Sequence, residues 1–220
     1  DADIELAITA AIQSKFRNCG QTCICANRFY IQDKIYPKFI KLLHTKLNEL
    51  NLGNGQNKNT HLGPLINQNA IQKIEDQIKD ALNKGATIIC GGKKYKHKKF
   101  PNAHFFEPTL LTNCTDDMKV FTEETFGPIC AIKKFNNELD VINDANNTIY
   151  GLAAYAFTTN LKRTFRLSEE LNFAIIGIND GSPSHPEIPF GGFNQSGIGK
   201  EGGSYALSEY TQLKYVSLGL

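Results

Sequence analysis

The chain has 220 residues, with 24 Lys and Arg against 22 Asp and Glu and a formal net charge of +2. At this length folding buries roughly 70% of the unfolded surface, so stability requires no disulfide or metal staple. The 41% hydrophobic and 21% charged residues are ordinary for a soluble globular protein. No stretch approaches the roughly 18 apolar residues of a membrane span, so we expect no membrane partner.

The first residues, DADIELAI, lack the basic and apolar regions of a signal peptide. Six cysteines without an export signal predict a reducing compartment, so we expect a cytoplasmic protein. The chain does not begin with Met, and its single Met is Met118. We therefore interpret it as a piece of a longer protein.

Helix-like and strand-like apolar periods alternate along the chain. Helices are predicted over 34–50, 67–84, 136–146 and 161–171, and strands over 86–90 (buried), 105–112, 129–135, 152–158 and 173–179. The final segment, 210–220, predicts a further strand that pairs away from the main sheet. Strands that alternate with helices require crossover connections, which predicts a three-layer α/β domain with a mostly parallel sheet.

Ligands of such sheets bind at the carboxyl ends of strands. We therefore expect a site formed by three loops: the cysteine window KFRNCGQTCICANRFY (15–30), the EETFGP loop (123–128) and the loop after GIN (177–179). The basic run KKYKHKK (93–99) predicts an exposed loop rather than a nucleic-acid patch, so we expect no nucleic-acid partner.

The cysteine window places Cys19, Cys23 and Cys25 within seven positions. This C-x3-C-x-C spacing matches no zinc finger and lacks a fourth ligand, so we expect no metal site. A reducing compartment disfavours a structural disulfide. One remaining interpretation is that the three cysteines of the window are small, buried, apolar residues. We interpret the other three cysteines, Cys90, Cys114 and Cys130, in the same way.

A nucleophilic thiolate is the other interpretation of the window. Cysteine attacks carbonyls when nearby positive charge or backbone N–H groups lower its pKa and an oxyanion pocket receives the developing charge. Gly20 permits a tight turn, after which the backbone N–H of Cys23 could face the oxygen of a bound carbonyl.

The segment FRNCGQTCICANRFY (16–30) resembles the active-site segment of the aldehyde dehydrogenase superfamily. Three further stretches are similar to that superfamily in the same order: LGPLIN (62–67), EETFGP and PFGGFNQSGIGKEGG (189–203). The likeness is greatest to succinate-semialdehyde dehydrogenases. It implies a Rossmann-like catalytic domain over 1–203, an oligomerisation strand within 204–220, and an absent N-terminal nucleotide-binding domain.

The resemblance implies that Cys23 is the nucleophile, forming a thiohemiacetal that passes hydride to NAD or NADP and then a thioester that water hydrolyses. It implies that Arg17 grips the distal carboxylate of a semialdehyde, helped by the hydroxyl of Ser184. Because six extended residues span about 20 Å, the chain between Arg17 and Cys23 must fold back, and Gly20 is the expected point. The residues Pro183, His185 and Pro186 depart from the relatives.

The resemblance also implies that Glu124 holds the nicotinamide ribose and that Phe126 packs beside it. The glycines of 189–203 do not have phosphate-loop spacing, so we interpret them as turns that shape the substrate mouth. If Cys23 and Cys25 lie in a strand, their side chains share a face. Their Cα atoms are then separated by a distance near the upper limit for a disulfide. Such a bridge would be easily reduced, which suits Cys25 to a role as redox partner in an oxidative off-switch.

We expect the whole protein to oxidise succinate semialdehyde to succinate as a homo-oligomer. We expect this chain alone to be inactive, because the family's water-activating glutamate and main cofactor platform lie outside it. The alternatives are a dehydrogenase for another small ω-carboxy aldehyde such as glutarate semialdehyde, a non-catalytic oligomerisation remnant, and a cofactor-independent thiol enzyme or redox sensor.

Overall fold

Helices and strands alternate along the chain in the computed structural model, which describes residues 1–220. In order they are α1 (Ile4–Phe16), β1 (Arg28–Gln32), α2 (Tyr36–Asn48), α3 (Gln68–Asn83), β2 (Thr87–Cys90), β3 (Thr109–Thr112), α4 (Lys119–Thr122), β4 (Ile129–Phe135), α5 (Glu138–Asn146), β5 (Ala153–Ala156), α6 (Leu161–Glu170), β6 (Ile175–Ile178) and α7 (Ala206–Glu209). Each predicted helix and internal strand is present.

Local sequence explains where most helices begin. The side chains of Asp3, Asn67, Asn137 and Asn160 each accept a hydrogen bond from a backbone N–H three residues later, at the starts of α1, α3, α5 and α6. Helix α1 was not predicted. Its buried face includes the polar Ser14 and Lys15, and the apolar Leu6 is exposed, so the sequence shows no single apolar stripe.

The strands form two sheets. The larger has the order β1-β4-β3-β2, in which β1, β4 and β3 are parallel and β2 pairs antiparallel at one edge. The smaller consists of the parallel pair β5-β6. The prediction of an α/β domain with mostly parallel pairing is therefore confirmed, although the parallel strands are divided between two sheets.

Helices cover both faces of the larger sheet, which gives three layers. Because successive strand residues point to opposite faces, Leu110 and Cys130 pack with α1 and α2, whereas Leu111 and Ala131 pack with α3 and α4. A smaller cluster around Ile142 joins α5 and α6 to the β5-β6 pair.

One strand prediction needs correction. Strand β2 is not buried, because it forms an edge of the sheet and two of its four residues are exposed. Residues 211–220 are exposed and form no strand within this chain, so the predicted strand, which pairs away from the main sheet, stays a prediction.

The basic run 93–99 lies in an exposed loop, as predicted, with ion pairs from Lys93 to Glu107 and from Lys94 to Glu75. None of the helices combines the length and apolar character needed to cross a bilayer.

Candidate active site

The cysteine window reverses direction immediately after α1. Asn18, Cys19 and Gly20 all have positive φ, of 51°, 58° and 76°. The side chain of Asn18 donates to the carbonyl of Gln21 at 3.0 Å and stabilises this unusual turn. The chain returns so far that the sulfur of Cys25 lies 4.0 Å from the carbonyl oxygen of Arg17. The predicted reversal is confirmed, but it uses two non-glycine residues as well as Gly20.

Gly20 and Gln21 contact two other loops, EETFGP and LGPLIN, whose sequences are similar to those of the family. A Cβ on Gly20 would lie 2.2 Å from the carbonyl oxygen of Gly127, so only glycine permits this approach to the EETFGP loop. The Gln21 side chain accepts from the N–H of Ile66 at 2.9 Å and donates to the carbonyl of Pro64 at 3.4 Å. Three of the four similar stretches therefore meet at the window.

Cys23 lies in a turn and faces solvent. The turn is closed by the N–H of Cys25, which donates to the carbonyl of Thr22 at 2.9 Å. Of the six cysteines only Cys23 is exposed. Its backbone N–H makes no hydrogen bond within the chain, so it is free to donate to a developing oxyanion. Both the thiol and its adjacent donor are therefore available to a carbonyl substrate.

The remaining cysteines are less suited to nucleophilic attack. Burial raises the pKa of Cys19 to about 12 and that of Cys114 to about 11, and it also raises the pKa of Cys130. These side chains remain thiols at neutral pH, and the interpretation of Cys114 and Cys130 as small buried residues is confirmed.

The geometric premise for a Cys23–Cys25 redox pair is wrong. The two residues occupy a turn rather than a strand, so they do not share a face: Cys25 is buried and Cys23 is exposed. Both are free cysteines in this structure.

Arg17 is exposed and faces the loop that follows β6. Its Nη1 donates to the hydroxyl of Ser182 at a long 3.5 Å, and it has no acidic partner. This loop packs closely on α1, since a Cβ on Gly181 would lie 2.6 Å from the carbonyl oxygen of Ala10. Ser184, the predicted substrate-binding serine, is exposed two residues beyond and makes no hydrogen bond. Sequence reasoning missed Ser182.

Glu124 and Phe126 lie on the EETFGP loop beside the window. The Glu124 side chain is half-buried, makes no hydrogen bond or ion pair, and lines the same cavity, of about 620 Å³, as Cys23. An unpaired carboxylate of this kind accepts hydrogen bonds from hydroxyl donors, so it fits the ribose of a nicotinamide cofactor. Phe126 is exposed with a φ of 53°, an uncommon conformation for an aromatic residue. Arg17, Ser184 and Phe126 do not line this cavity.

Lys15 and Asn27 connect α1 to the EETFGP loop, and the sequence did not single them out. Lys15 is fully buried, and its ammonium donates to Asn27 Oδ1 at 3.3 Å. The same oxygen accepts from the N–H of Thr125 at 3.4 Å. Burial lowers the pKa of Lys15. A lysine is expected at the surface by default, and the local sequence AAIQSKF (10–16) gave no clear signal of its burial.

The expected position of the site loops at carboxyl strand ends is wrong for two of them. The cysteine window leads into the amino end of β1, and the EETFGP loop leads into the amino end of the neighbouring strand β4. Only the third loop follows a carboxyl end, and it then runs along α1 toward Arg17. Adjacent parallel strands bring their preceding loops together as effectively as their following ones.

Comparison with known proteins places these loops in a family context. The family model described as "Aldehyde dehydrogenase family" matches residues 1–216. The chain is 44% identical over 220 residues to a succinate-semialdehyde dehydrogenase of Escherichia coli (strain K12) that is named for NADP(+), covering 100% of this chain and 45% of the relative. It is 45% identical over 219 residues to a 3-sulfolactaldehyde dehydrogenase of Pseudomonas putida, covering 100% of this chain and 44% of that one.

Solved structures agree. A crystal structure of an E. coli NADP dependent enzyme matches with a TM-score of 0.94 and 45% identity, over 100% of this chain and 45% of that chain. A betaine aldehyde dehydrogenase from Staphylococcus aureus in complex with NAD+ matches with a TM-score of 0.92 and 38% identity, over 96% and 42%. The chain thus spans less than half the length of the curated relatives it matches.

Proposed function

The chain belongs to the aldehyde dehydrogenase family, and from that premise we propose that the whole protein oxidises succinate semialdehyde to succinate with NAD or NADP. The observation that carries the proposal is the folded-back window, which presents an exposed thiol at Cys23 and an exposed guanidinium at Arg17 on one short segment. Similarity to proteins named as succinate-semialdehyde dehydrogenases from bacteria and plants supports the substrate.

Cys23 supplies the covalent step. Its thiolate adds to the aldehyde carbon, forming a carbon–sulfur bond, while the carbonyl oxygen takes up the negative charge beside the free N–H of Cys23. Loss of hydride from this thiohemiacetal leaves a thioester. Water then attacks the thioester, releasing the carboxylate and the free thiol.

Arg17 supplies the specificity. A four-carbon semialdehyde carries a carboxylate at the end opposite its aldehyde, and a guanidinium binds a carboxylate through two parallel hydrogen bonds. Cys25 lies beside the Arg17 carbonyl, and Cys23 is two residues, about 7 Å at most, from Cys25. The turn therefore brings the backbone of Arg17 close to that of the Cys23 segment, and we propose that the two side chains bind opposite ends of one small substrate. Ser184 is proposed to donate its hydroxyl to the same carboxylate.

Glu124 and Phe126 are proposed to hold the nicotinamide end of the cofactor. The unpaired Glu124 carboxylate would accept from ribose hydroxyls, and Phe126 would pack beside them. The bound cofactor supplies the acceptor for the hydride. The main cofactor platform, the cytoplasmic location and the homo-oligomeric state of the whole protein remain predictions from the resemblance.

A second candidate substrate is 3-sulfolactaldehyde, because a relative with that name is as similar as the succinate-semialdehyde dehydrogenases. A sulfonate is also an oxygen-bearing anion that Arg17 could bind. Glutarate semialdehyde, one carbon longer, tests the length of the pocket.

The test is a comparison of kcat/KM for the whole protein with succinate semialdehyde, glutarate semialdehyde, 3-sulfolactaldehyde and uncharged butanal. We expect the highest value with succinate semialdehyde and the lowest with butanal. Equal values for butanal and the anionic aldehydes would contradict the role of Arg17. A preference for 3-sulfolactaldehyde would contradict succinate semialdehyde as the substrate but would still support Arg17 as the residue that binds the anionic group. This chain alone is expected to reduce neither NAD nor NADP.

A further inference from the structure

The turn that carries Cys23 is closed by a single peptide group. The N–H of Cys25 donates to the carbonyl of Thr22 at 2.9 Å. The carbonyl of the same peptide group belongs to Ile24, which is only 4% exposed. A carbonyl this deeply buried requires a donor, and no backbone N–H of the chain donates to it. The orientation of the turn therefore depends on the group that donates to the Ile24 carbonyl.

The side chain of Tyr155 supplies this donor. Its hydroxyl lies 2.6 Å from the carbonyl oxygen of Ile24, a normal length for an O–H···O hydrogen bond, although 131 residues separate the two. Because a carbonyl oxygen only accepts, the hydroxyl proton points to Ile24. Burial raises the pKa of Tyr155 to about 12, so the hydroxyl keeps its proton at neutral pH. The donor is therefore present at any pH near neutrality.

The pairing of β5 with β6 makes room for the Tyr155 ring. Tyr155 lies in β5 and is opposite Gly177 of the parallel strand β6. A Cβ on Gly177 would lie 3.0 Å from Cδ1 of the ring, which is closer than ordinary packing contact. The glycine therefore lets the ring lie against β6, and the hydroxyl reaches from the smaller sheet to the cysteine window, which leads into β1 of the larger sheet.

Packing alone does not require this hydroxyl. A second tyrosine, Tyr150, lines the same cavity and is also half-buried, but its hydroxyl makes no hydrogen bond within the chain. The hydroxyl of Tyr155, by contrast, engages the one peptide group whose other polar end closes the turn. Reacting groups must be held in place closely, since a displacement of about 1 Å can lower a rate by about 10²-fold.

We propose that Tyr155 is a positioning residue for the reaction, whose hydroxyl holds the turn so that the Cys23 thiol and its backbone N–H meet the bound carbonyl in a fixed geometry. The proposal rests on the proposed function, in which Cys23 is the nucleophile. Tyr155 acts through the Ile24 carbonyl and takes no part in proton transfer. Because the carboxylate of the substrate is bound by other residues, loss of the Tyr155 hydroxyl slows the chemical step and leaves substrate binding intact.

The kinetic test compares Tyr155→Phe with the matched control Tyr150→Phe in the whole protein. Each change removes one hydroxyl from the cavity lining, but only Tyr155→Phe removes a hydrogen bond to the turn. In single turnovers of succinate semialdehyde we expect formation of NADH or NADPH to slow by at least about tenfold in Tyr155→Phe and by less than about twofold in Tyr150→Phe. The aldehyde concentration that gives half the maximal rate should change by less than about threefold. Butanal should show the same loss of rate, since the defect lies at the nucleophile.

Two further measurements on these proteins do not depend on which reaction is catalysed. Hydrogen exchange of the Cys25 amide, resolved by fragmentation in the mass spectrometer, should be at least about fivefold faster in Tyr155→Phe, while α3 is unchanged as an internal reference. Alkylation of Cys23 by iodoacetamide should change by less than about threefold, because a small reagent reaches an exposed thiol from many directions. If the whole protein oxidised no aldehyde, the proposed function would fail, and the Cys25 amide would still show whether Tyr155 holds the turn.

An unchanged rate of hydride transfer in Tyr155→Phe would overturn the proposal, as would unchanged exchange of the Cys25 amide. Equal slowing in Tyr155→Phe and Tyr150→Phe would assign the effect to the cavity as a whole and would overturn it too. A weaker half-saturation with an unchanged maximal rate would make Tyr155 a substrate-binding residue instead. A loss of alkylation that matches the loss of hydride transfer would show that the thiol is covered rather than misaligned, which also contradicts the proposal.

Discussion

The guanidinium of Arg17 lies at hydrogen-bonding distance from the hydroxyl of Ser182, although 165 residues separate them. The contact brings together the turn after α1 and the loop after β6, both of which pack against α1. Arg17 has no acidic partner, so its charge is available to an anionic ligand. The proposed substrate anchor, Arg17, therefore lies where two distant parts of the chain meet.

Replacing Arg17 by Met should impair recognition of the carboxylate in the whole protein. A hydrogen bond to a charged group contributes about 1.5–3 kcal/mol, so we expect KM for succinate semialdehyde to rise by about tenfold or more. Arg17→Lys keeps the charge but loses the bidentate geometry. Its KM for succinate semialdehyde should lie between those of the wild type and Arg17→Met. The kinetics with butanal are the control and should not change. A similar loss with butanal would indicate a structural role for Arg17.

The two serines of the loop after β6 should differ in importance. A hydroxyl that donates to a carboxylate contributes about 1.5–3 kcal/mol, so Ser184→Ala should raise KM for succinate semialdehyde by about tenfold or more. Ser182 contacts Arg17 only at 3.5 Å, and Ser182→Ala should raise KM by less than about threefold. Steady-state kinetics of the two variants of the whole protein decide between them. The reverse order would make Ser182 the substrate contact.

Cys23 should be the first cysteine to react with iodoacetamide. It is exposed, whereas burial raises the pKa of Cys19 to about 12 and keeps that thiol protonated. Timed labelling of this chain, read by tandem mass spectrometry of the tryptic peptide 18–28, should show Cys23 alkylated at least about tenfold faster than Cys19 or Cys25. Cys23→Ala should abolish the fast phase. Fast labelling of a buried cysteine would contradict the described window.

Lys15 should reduce stability at neutral pH. Burial lowers its pKa below the usual 10.5, so between those two values the unfolded chain binds more protons than the folded chain. The contribution of Lys15 to stability therefore rises with pH in that window. We expect Lys15→Met to raise the free energy of unfolding at about pH 7 by about 1–3 kcal/mol, and we expect this gain to shrink as the pH approaches 10.5.

Urea unfolding of the unsubstituted chain and of Lys15→Met, at about pH 7 and about pH 9.5, measures the difference in their free energies of unfolding. The exposed Lys38 has no ion pair, and Lys38→Met should change stability by less than about 0.5 kcal/mol at either pH. A loss of stability in Lys15→Met at neutral pH would show that the contact with Asn27 outweighs the burial of charge. A gain that grows with pH would contradict the sign of the shift.

The sequence predicted the elements whose periodicity is strong, and it missed those that depend on distant contacts. The predicted bounds of β4 match those observed, and α3 differs from its prediction by one residue at each end. Helix α1 was missed because its buried face includes polar residues and the apolar Leu6 is exposed, so no single apolar stripe marks it. The predicted C-terminal strand stays a prediction, because residues 211–220 have no partner within this chain with which to pair.

The site was predicted from residue types and family likeness, and its geometry was not. Gly20 marked the reversal, but the left-handed conformations of Asn18 and Cys19 and the close approach of Gly20 to Gly127 appear only in the folded chain. The burial of Lys15 depends in the same way on elements that meet only in the folded chain. Such features cannot be seen in local sequence patterns.

The central claim is that Cys23 forms the covalent bond to the substrate. The direct measurement is peptide mapping of the whole protein, quenched during turnover of succinate semialdehyde with NAD or NADP, to locate an acyl adduct. We expect a succinyl thioester on Cys23 and neither adduct nor turnover in Cys23→Ala. An adduct on another residue, or turnover that persists in Cys23→Ala, would contradict the account.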